Sequence, residues 1–267
     1  TPNIKKYFMD NGVWVTQATT VFPTITGAGV PSVLTGCFPG RTKFPSLYFF
    51  DRTTGEYAIL YLFDEALQWN RWLSKEVKTI WEYFTGADDA LAFGPALYRG
   101  ADEHTAVVYN FKYAPGQVRA KLLAARRQLR RRVVGGMPAR MIVAYNGWFD
   151  HREHMVGSTS EQIVPEYRGM DQLVGETIED FQELIEERKA AGVKVNYYVA
   201  LVSDHGHKDI SGTESLEAFL KEKYRIKNVT KDLTMVAGQA VSGKMPSDLS
   251  SFDCLIAAGE GHGLFYF

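Results

Sequence analysis

Two short apolar runs flank one long amphipathic stretch, and that arrangement limits what the chain can fold into. The runs are Met141 to Tyr145 (MIVAY) and Val195 to Val202 (VNYYVALV), both rich in branched and aromatic residues. Between them, over Glu166 to Ala191, Met170, Leu173, Val174, Ile178, Phe181, Leu184 and Ile185 recur at spacings of three and four. Glu179, Glu183, Glu186, Glu187, Arg188 and Lys189 fill much of the opposite face, and Gly192 closes the pattern as a helix breaker. Strand, helix, strand at this spacing predicts a βαβ unit and a sheet that is at least partly parallel. A third run, Phe252 to Ala258 (FDCLIAA), reads as a further buried strand. Near-continuous apolarity in all three predicts parallel strands covered on both faces. The expected fold class is therefore α/β.

The remaining elements are shorter. Pro2 to Asn11 predicts a helix ending at Gly12, and Trp69 to Phe84 reads as helical. Arg41 to Tyr61 reads as loop with short strands. A helix over Thr213 to Tyr224 is expected, capped by Ser211 or Thr213, with Leu216, Phe219 and Leu220 as its apolar face. Gln117 to Val134 holds seven basic residues and no acid. It reads as a solvated helix face rather than a phosphate or lipid contact.

Composition rules out several classes. The net charge of −1 calls for neither nucleic acid nor an anionic membrane. No apolar run is long enough to span a bilayer. Cys37 and Cys254 make neither a disulfide framework nor a metal motif, and read as two free, mostly buried thiols. They leave the compartment open between cytoplasm and periplasm or secretion, and the oligomeric state is equally open. The chain begins TPNI and stops at GLFYF, which reads as mid-strand, so both ends are expected to be cut.

Chemistry concentrates after the strands, where open α/β sheets bind ligands. MIVAY is followed by Asp150, His151 and His154. VNYYVALV is followed by Asp204, His205, His207 and Asp209, and FDCLIAA by Glu260 and His262. Carboxylates mixed with imidazoles suit Zn²⁺ or a similar divalent ion. Asp150 and His154 are four apart and share a face on a helix. Asp204 and His205 are adjacent, so both reach one ion only from an irregular turn, which Gly206 allows. A third element, Val21 to Arg41, is dense in hydroxyls: Thr24, Thr26, Ser32 and Thr35. Gly27 and Gly29 suit a helix start facing an anion, with Thr24 or Thr26 as its cap.

The order of these pieces resembles the alkaline phosphatase superfamily, and within it the type I phosphodiesterase/nucleotide pyrophosphatase branch. The resemblance rests on TPN, FPT-x-T, L-TG-x-x-PGR, D-x-x-x-H and SDHG, over most of residues 1–45 and 140–210. It implies a three-layer α/β/α fold with a mostly parallel central sheet. It also implies one incomplete catalytic domain over 1–267, with an inserted or cap segment at about 46–139. It implies two Zn²⁺ or similar cations, and hydrolysis of a small phosphodiester or nucleotide pyrophosphate. By the same resemblance Thr26 is the nucleophile and sits on one ion, Asp150 and His154 ligate one metal, and Asp204 and His205 ligate the other. Nucleic-acid binding is not expected.

There are departures. The family's first metal-binding Asp lies before TPN, and its last metal-binding His lies far downstream in a Gly-x-His-Gly setting. His262 in GEGHG follows SDHG too closely for that role and reads as part of a strand-turn-strand unit. Ser46 or Leu47 stands where many diesterases carry a phosphate-contacting Asn, and Thr42 where a His is usual. Thr26-Gly-Ala-Gly lacks the Cys/Ser-x-Pro-x-Arg of a sulfatase. A phosphomonoesterase, a phosphonate hydrolase and an inactive binding module are the alternative readings.

Overall fold

A computed structural model describes residues 1–60, 69–84, 90–106, 139–212, 214–227, 252–259 and 262–267. The chain forms two compact units, one of Thr1–Thr19 with Thr79–Asp209 and one of Thr20–Lys78 with Ile210–Phe267.

In the first unit a parallel sheet is built from β3 (Ala90–Gly94), β4 (Glu103–Ala106) and β5 (Met141–Ala144), in the order β4-β3-β5. Leu91 pairs with Glu103 on one side and with Ile142 on the other. The central strand ALAFG is buried along its whole length, as a strand covered on both faces must be. Leu91 and Phe93 pack with Ala139 and Ile142, and the buried Trp81 donates its indole N–H to the Leu91 carbonyl at 3.1 Å. Asp102 closes the start of β3, accepting the Ala90 N–H at 2.9 Å.

Helix α5 (Trp148–Val156) follows β5 directly, and α6 (Val164–Ala190) follows α5. The Asn146 side chain accepts the Trp148 N–H at 3.0 Å and turns the chain out of the strand into α5. Along α6, Ile178, Leu184 and Ile185 are buried, as their spacing predicts. Gly192, at φ +80°, ends it in the left-handed region. The N-terminal helix α1 (Pro2–Ile4) continues as wider turns through Met9. Buried Asp171 of α6 accepts the N–H groups of Asn3 at 3.1 Å and Ile4 at 2.8 Å, two of the unpaired donors of that helix start. The Asn3 amide also donates to the Asp171 carboxylate and carbonyl. Gly175 leaves room for this, since a Cβ there would stand 2.5 Å from Asn3 Cγ.

The second unit contains α2 (Thr26–Thr35), α3 (Pro39–Thr42), α4 (Trp69–Trp72) and α7 (Leu216–Tyr224). It also contains two antiparallel hairpins, β1 (Tyr48–Asp51) with β2 (Glu56–Ile59) and β6 (Leu255–Gly259) with β7 (His262–Tyr266). Phe44 packs on Trp69, with ring centroids 5.5 Å apart, and the Trp69 indole donates to the Leu60 carbonyl at 3.1 Å. The hairpins meet where the Phe50 N–H donates to the Tyr266 hydroxyl at 3.1 Å. Leu220 of α7 packs on Cys254 and Ile256. Cys254 is buried and Cys37 half-buried, both as free thiols.

Several expectations are corrected. The run Val195–Val202 is not a strand. Its backbone is unladdered, with Tyr198 96% and Val202 63% exposed. An apolar run becomes a strand only against a neighbouring ladder, and none pairs with it among the described residues. Trp69–Phe84 is not one helix but α4 and a separate 3-10 turn at Trp81–Tyr83. Phe252–Ala258 supplies β6, but its pairing is antiparallel because the chain turns straight back into β7, so His262 opens a hairpin strand. Ser215 caps α7, accepting the Ala218 N–H at 3.2 Å, in place of Ser211 or Thr213. At α2 neither Thr24 nor Thr26 is the cap: Ile25 is, and Thr26 is the first helical residue. Glu260, and the basic run Gln117–Val134, lie outside the described residues. No helix among the described residues is long and apolar enough to cross a membrane.

The start of α2 is seated on backbone. A Cβ at Gly27 would stand 2.4 Å from Leu47 N and 2.6 Å from Ser46 C. Gly27→Ala is expected to destabilise the protein by about 1–3 kcal/mol in urea unfolding, because neither backbone group yields as a side chain would. Gly40→Ala, in α3 with nothing near its Cβ, is expected to be neutral or slightly stabilising.

The β1–β2 turn gives a pH prediction. The Thr53 N–H donates to Asp51 at 2.8 Å. That bond lowers the Asp51 pKa against the opposing effect of burial, with the Thr53 hydroxyl and Thr54 adding to the lowering. A depressed folded pKa means that the stabilisation is complete above the ordinary aspartate value and is lost as pH falls through the folded value. Melting temperatures of wild type and Asp51→Asn should differ at pH 6 and converge in that acid window. A gap that persists unchanged at pH 2 would contradict the assignment.

Candidate metal centre

Two segments of the first unit bring titratable side chains together. The first is α5, which leaves the C-terminal end of a parallel strand. Asp150 and His154 stand one turn apart on it, with His154 Nε2 3.4 Å from Asp150 Oδ1. The second is the irregular segment 203–209. The Ser203 hydroxyl donates to the His205 carbonyl at 2.5 Å, and the His205 Nδ1 lies 2.9 Å from the Gly206 carbonyl oxygen. A carbonyl only accepts, so Nδ1 carries the proton and Nε2 is left with the lone pair in the neutral ring. That Nε2 is 3.9 Å from Asp150 Oδ1 and 3.6 Å from Asp204 Oδ2.

The 203–209 segment is coil, so something else must hold it. Asp209 does so. Its carboxylate accepts the Ser158 N–H at 2.7 Å, the Ser158 hydroxyl at 3.0 Å and the Thr159 hydroxyl, just past the end of α5. Those bonds, led by that of Thr159, hold the Asp209 carboxyl below its ordinary value. Gly157, at φ +86°, makes the turn that presents these donors. On the other side Glu166 anchors α5, accepting the Trp148 indole N–H at 3.2 Å.

Four residues expected as metal ligands are thus gathered in one unit: Asp150, His154, Asp204 and His205. Thr26 belongs to the second unit, on the first turn of α2, and is 8% exposed. Thr42 and Ser46 are fully buried. Thr42 Oγ1 accepts the Phe44 N–H and Ser46 Oγ the Tyr48 N–H, so both hold local turns.

The sequence reading named His207 in its cluster without giving it a role, and passed over Glu153. His207 stands with its ring 4.5 Å from that of His154, and Asp150, His154 and His207 offer donor atoms all within 4.8 Å of one another. Glu153, buried on α5, lies with Oε2 3.5 Å from His207 Nδ1. Its Oε1 accepts the Tyr167 hydroxyl at 2.9 Å. His207 carried a signal, being the second imidazole in SDHGH. The burial of Glu153 carried none.

The electrostatics favour an ionised Asp150. Burial raises the Asp150 pKa, but the hydrogen bond from His154 and the charges of His154, His205 and His207 outweigh it, and the net shift is downward. Burial lowers the His151 pKa, with the Asp150 charge opposing. Burial and the Glu153 carboxylate both raise the Tyr167 hydroxyl, keeping it a donor.

The donor set fits a divalent cation. Carboxylate oxygens and imidazole nitrogens are the ligands that Zn²⁺ and its neighbours take. An Nε2 lone pair facing two carboxylate oxygens is unfavourable by itself and favourable around a positive ion. The 4.8 Å bound is wider than the roughly 3.3 Å between donors on a tetrahedral zinc with 2.0–2.1 Å bonds.

Asp209→Ala should free the segment from α5. Hydrogen exchange at residues 203–209 is expected to speed up at least tenfold while amides of β3 and β5 keep their rates. Unchanged exchange across the segment would mean that Asp209 is not its anchor.

Comparison with known proteins places the chain in a family. A family model described as Type I phosphodiesterase / nucleotide pyrophosphatase matches residues 1–250. No curated protein matches the chain. Among solved structures, murine ectonucleotide pyrophosphatase/phosphodiesterase 5 as an inactive threonine-to-alanine form in complex with AMP has a TM-score of 0.53 at 19% identity, covering 67% of this chain and 46% of that one. A second murine structure of that protein gives 0.46 at 19% identity, over 70% and 47%. The human protein gives 0.47 at 16% identity, over 62% and 43%. At such identities the likeness is one of fold, and this chain spans just under half the length of those structures. The chain belongs to the type I phosphodiesterase/nucleotide pyrophosphatase family.

Proposed function

We propose that this chain belongs to a metal-dependent hydrolase of phosphodiester or nucleotide pyrophosphate bonds that works through Thr26. The observation that carries the reading is the gathering of Asp150, His154, Asp204 and His205 from two segments distant in the chain. Asp150 and His154 would hold one Zn²⁺ or similar cation, and Asp204 and His205 would hold the other. When bound, the ions supply positive charge that lowers the pKa of a neighbouring hydroxyl and neutralises charge on the leaving oxygen.

The chain's own residues supply the rest. The Thr26 oxygen attacks phosphorus in line with the leaving group. A P–O bond forms to Thr26 as its hydroxyl proton passes to water, the P–O bond to the leaving group breaks, and the departing oxygen takes a proton from water. Water then cleaves the phospho-threonine and restores the hydroxyl. The first turn of α2 aids this step, since the positive end of the helix dipole favours phosphate charge beside Thr26. The contact of Gly27 with the 46–47 backbone fixes where that turn sits. A nucleotide substrate is supported by the AMP complex of the murine neighbour, and the nucleophile by that protein's inactivity as a threonine-to-alanine form.

Thr26→Ala should lower kcat by at least 10³-fold against a nitrophenyl phosphodiester, a loss of about 4 kcal/mol of barrier lowering, with Zn²⁺ content unchanged. A rapid Thr26→Ala enzyme would remove the nucleophile. A nitrophenyl monoester hydrolysed faster than the diester would move the chain to the phosphomonoesterase reading.

A further inference from the structure

Neighbouring stripes of helix α5 each carry a pair of residues four apart. Asp150 and His154 form the stripe read above as metal ligands. The stripes beside it are gripped by consecutive residues near the start of α6. Glu166 accepts the Trp148 indole N–H at 3.2 Å, and its Oε1 lies 3.8 Å from Arg152 Nε. Tyr167 sets its ring edge-on against that of Phe149, with centroids 4.5 Å apart, and donates its hydroxyl to Glu153 Oε1 at 2.9 Å. Successive residues of an α-helix are turned about 100° from one another. Holding the 148/152 and 149/153 stripes from α6 therefore fixes the direction in which the 150/154 stripe points.

Glu153 is the buried member of this grip, at 6% exposure. A buried carboxylate is unfavourable unless its oxygens are met. Tyr167 meets Oε1, and His207 Nδ1 lies 3.5 Å from Oε2. One side chain of α5 thus touches both α6 and the segment that carries Asp204 and His205. The tolerance of such a constellation is narrow, about 0.5 Å. A rotation of α5 by about 20° would carry an atom at its outer radius of roughly 5–6 Å through about 2 Å. The Asp150–His154 contact does not resist that rotation, since both residues move with the helix.

We propose that Tyr167 and Glu153 form a rotational lock on α5. They are positioning residues and not ligands. The lock sets where Asp150 and His154 stand, and through His207 it sets where the segment carrying Asp204 and His205 meets them. His207 serves here as a contact of Glu153 and takes no place on an ion. The proposal rests on the metal reading given above for Asp150 and His154. It is separate from the Asp209 tether, which holds the end of the segment at Ser158 and Thr159, past α5. The tether places the loop, and the lock places the helix.

The test titrates metal-free protein with Zn²⁺ alone, read by calorimetry, and with Co²⁺ alone, read by its visible spectrum. The ion to follow is the one that Asp150→Ala abolishes. Tyr167→Phe keeps the ring on Phe149 and removes only the hydroxyl, and at 39% exposure of Tyr167 no sealed cavity is left. Glu153→Ala should weaken that ion by about 10–100-fold, the range for partners outside the ligand set, and Tyr167→Phe by about tenfold. Glu153→Gln, which still accepts from Tyr167, should recover most of the loss. Tyr167→Phe should add nothing in the Glu153→Ala background, because both act through one contact. A melting temperature lowered by no more than about 4 °C shows that the fold is kept. A further readout needs no metal: the Trp148 indole N–H and His154 ring resonances should move in Tyr167→Phe while amides of β3 and β5 stay in place. Wild-type affinity in Tyr167→Phe and Glu153→Ala, with binding lost in Asp150→Ala, would overturn the lock and leave the metal reading standing. Equal losses in Glu153→Gln and Glu153→Ala, or additive losses in the double variant, would also overturn the lock. A wild-type protein that binds no ion would overturn both.

Discussion

Three donors meet the carboxylate of Asp209: the Ser158 N–H, the Ser158 hydroxyl and the Thr159 hydroxyl. The segment they tether has no ladder of its own. Each backbone group fixed in place costs roughly 1–2 kcal/mol in conformational entropy, and helix or sheet bonds are the usual compensation. Segment 203–209 lacks them. Charge-assisted hydrogen bonds, about twice as strong as neutral ones, are concentrated at one residue instead. Without that tether Asp204, His205 and His207 would sample many positions relative to α5. With it they stand beside Asp150, His154 and Glu153.

Gathering like charges has its own cost. At an effective dielectric of about 20, two unit charges 4 Å apart interact by about 4 kcal/mol. Asp150, Glu153 and Asp204 bring three carboxylates to one region, and imidazoles alternate with them. His154 and His205 both lie within 4 Å of Asp150 Oδ1, and His207 within 4 Å of Glu153 Oε2. The Nδ1–H of His205 is directed at the Gly206 carbonyl, so the nitrogen that faces the acids is Nε2. A divalent ion supplies two charges at a single point and leaves each ring neutral. This is the physical sense in which the residues suit a cation better than they suit one another.

How much of this was legible in the sequence depends on what each element needs. Helix α6 was readable because its burial is periodic and local: Ile178, Leu184 and Ile185 fall on the predicted face, and Gly192 ends it. β5 and the Asp150/His154 pair were readable for the same reason, since i and i+4 on a helix meet wherever the helix goes. The run Val195–Val202 was misread because apolarity reports a wish for burial, and a strand also requires a partner whose position no local pattern contains. β6 was assigned to a parallel sheet on the same apolarity, but its ladder partner is β7, the next strand in the chain, and the pair is antiparallel. Glu153 was invisible for a third reason. It looks like one more acid on a charged helix, and only the approach of His207 and Tyr167 makes it a buried one. The helix start at Thr26 was readable to within one residue, because glycine and hydroxyl content mark a helix entrance without saying which residue is its cap.

The two units therefore hold their functional residues by different physics. Thr26 is placed by close packing: Gly27 admits the 46–47 backbone to a distance that no side chain allows. That constraint is steric, so salt and moderate pH leave it untouched. Asp150 and His154 are placed by helix α5, and His205 and His207 are brought to them by hydrogen bonds and charge, through Asp209 and Glu153. Under the proposed chemistry the nucleophile and the cation site then fail separately as acid is added. The cation site carries the acid sensitivity, because the carboxyls of Asp150 and of the tether Asp209 are both held below their ordinary value and both lose their charge in acid, while the seat of Thr26 on the 46–47 backbone has no titratable part.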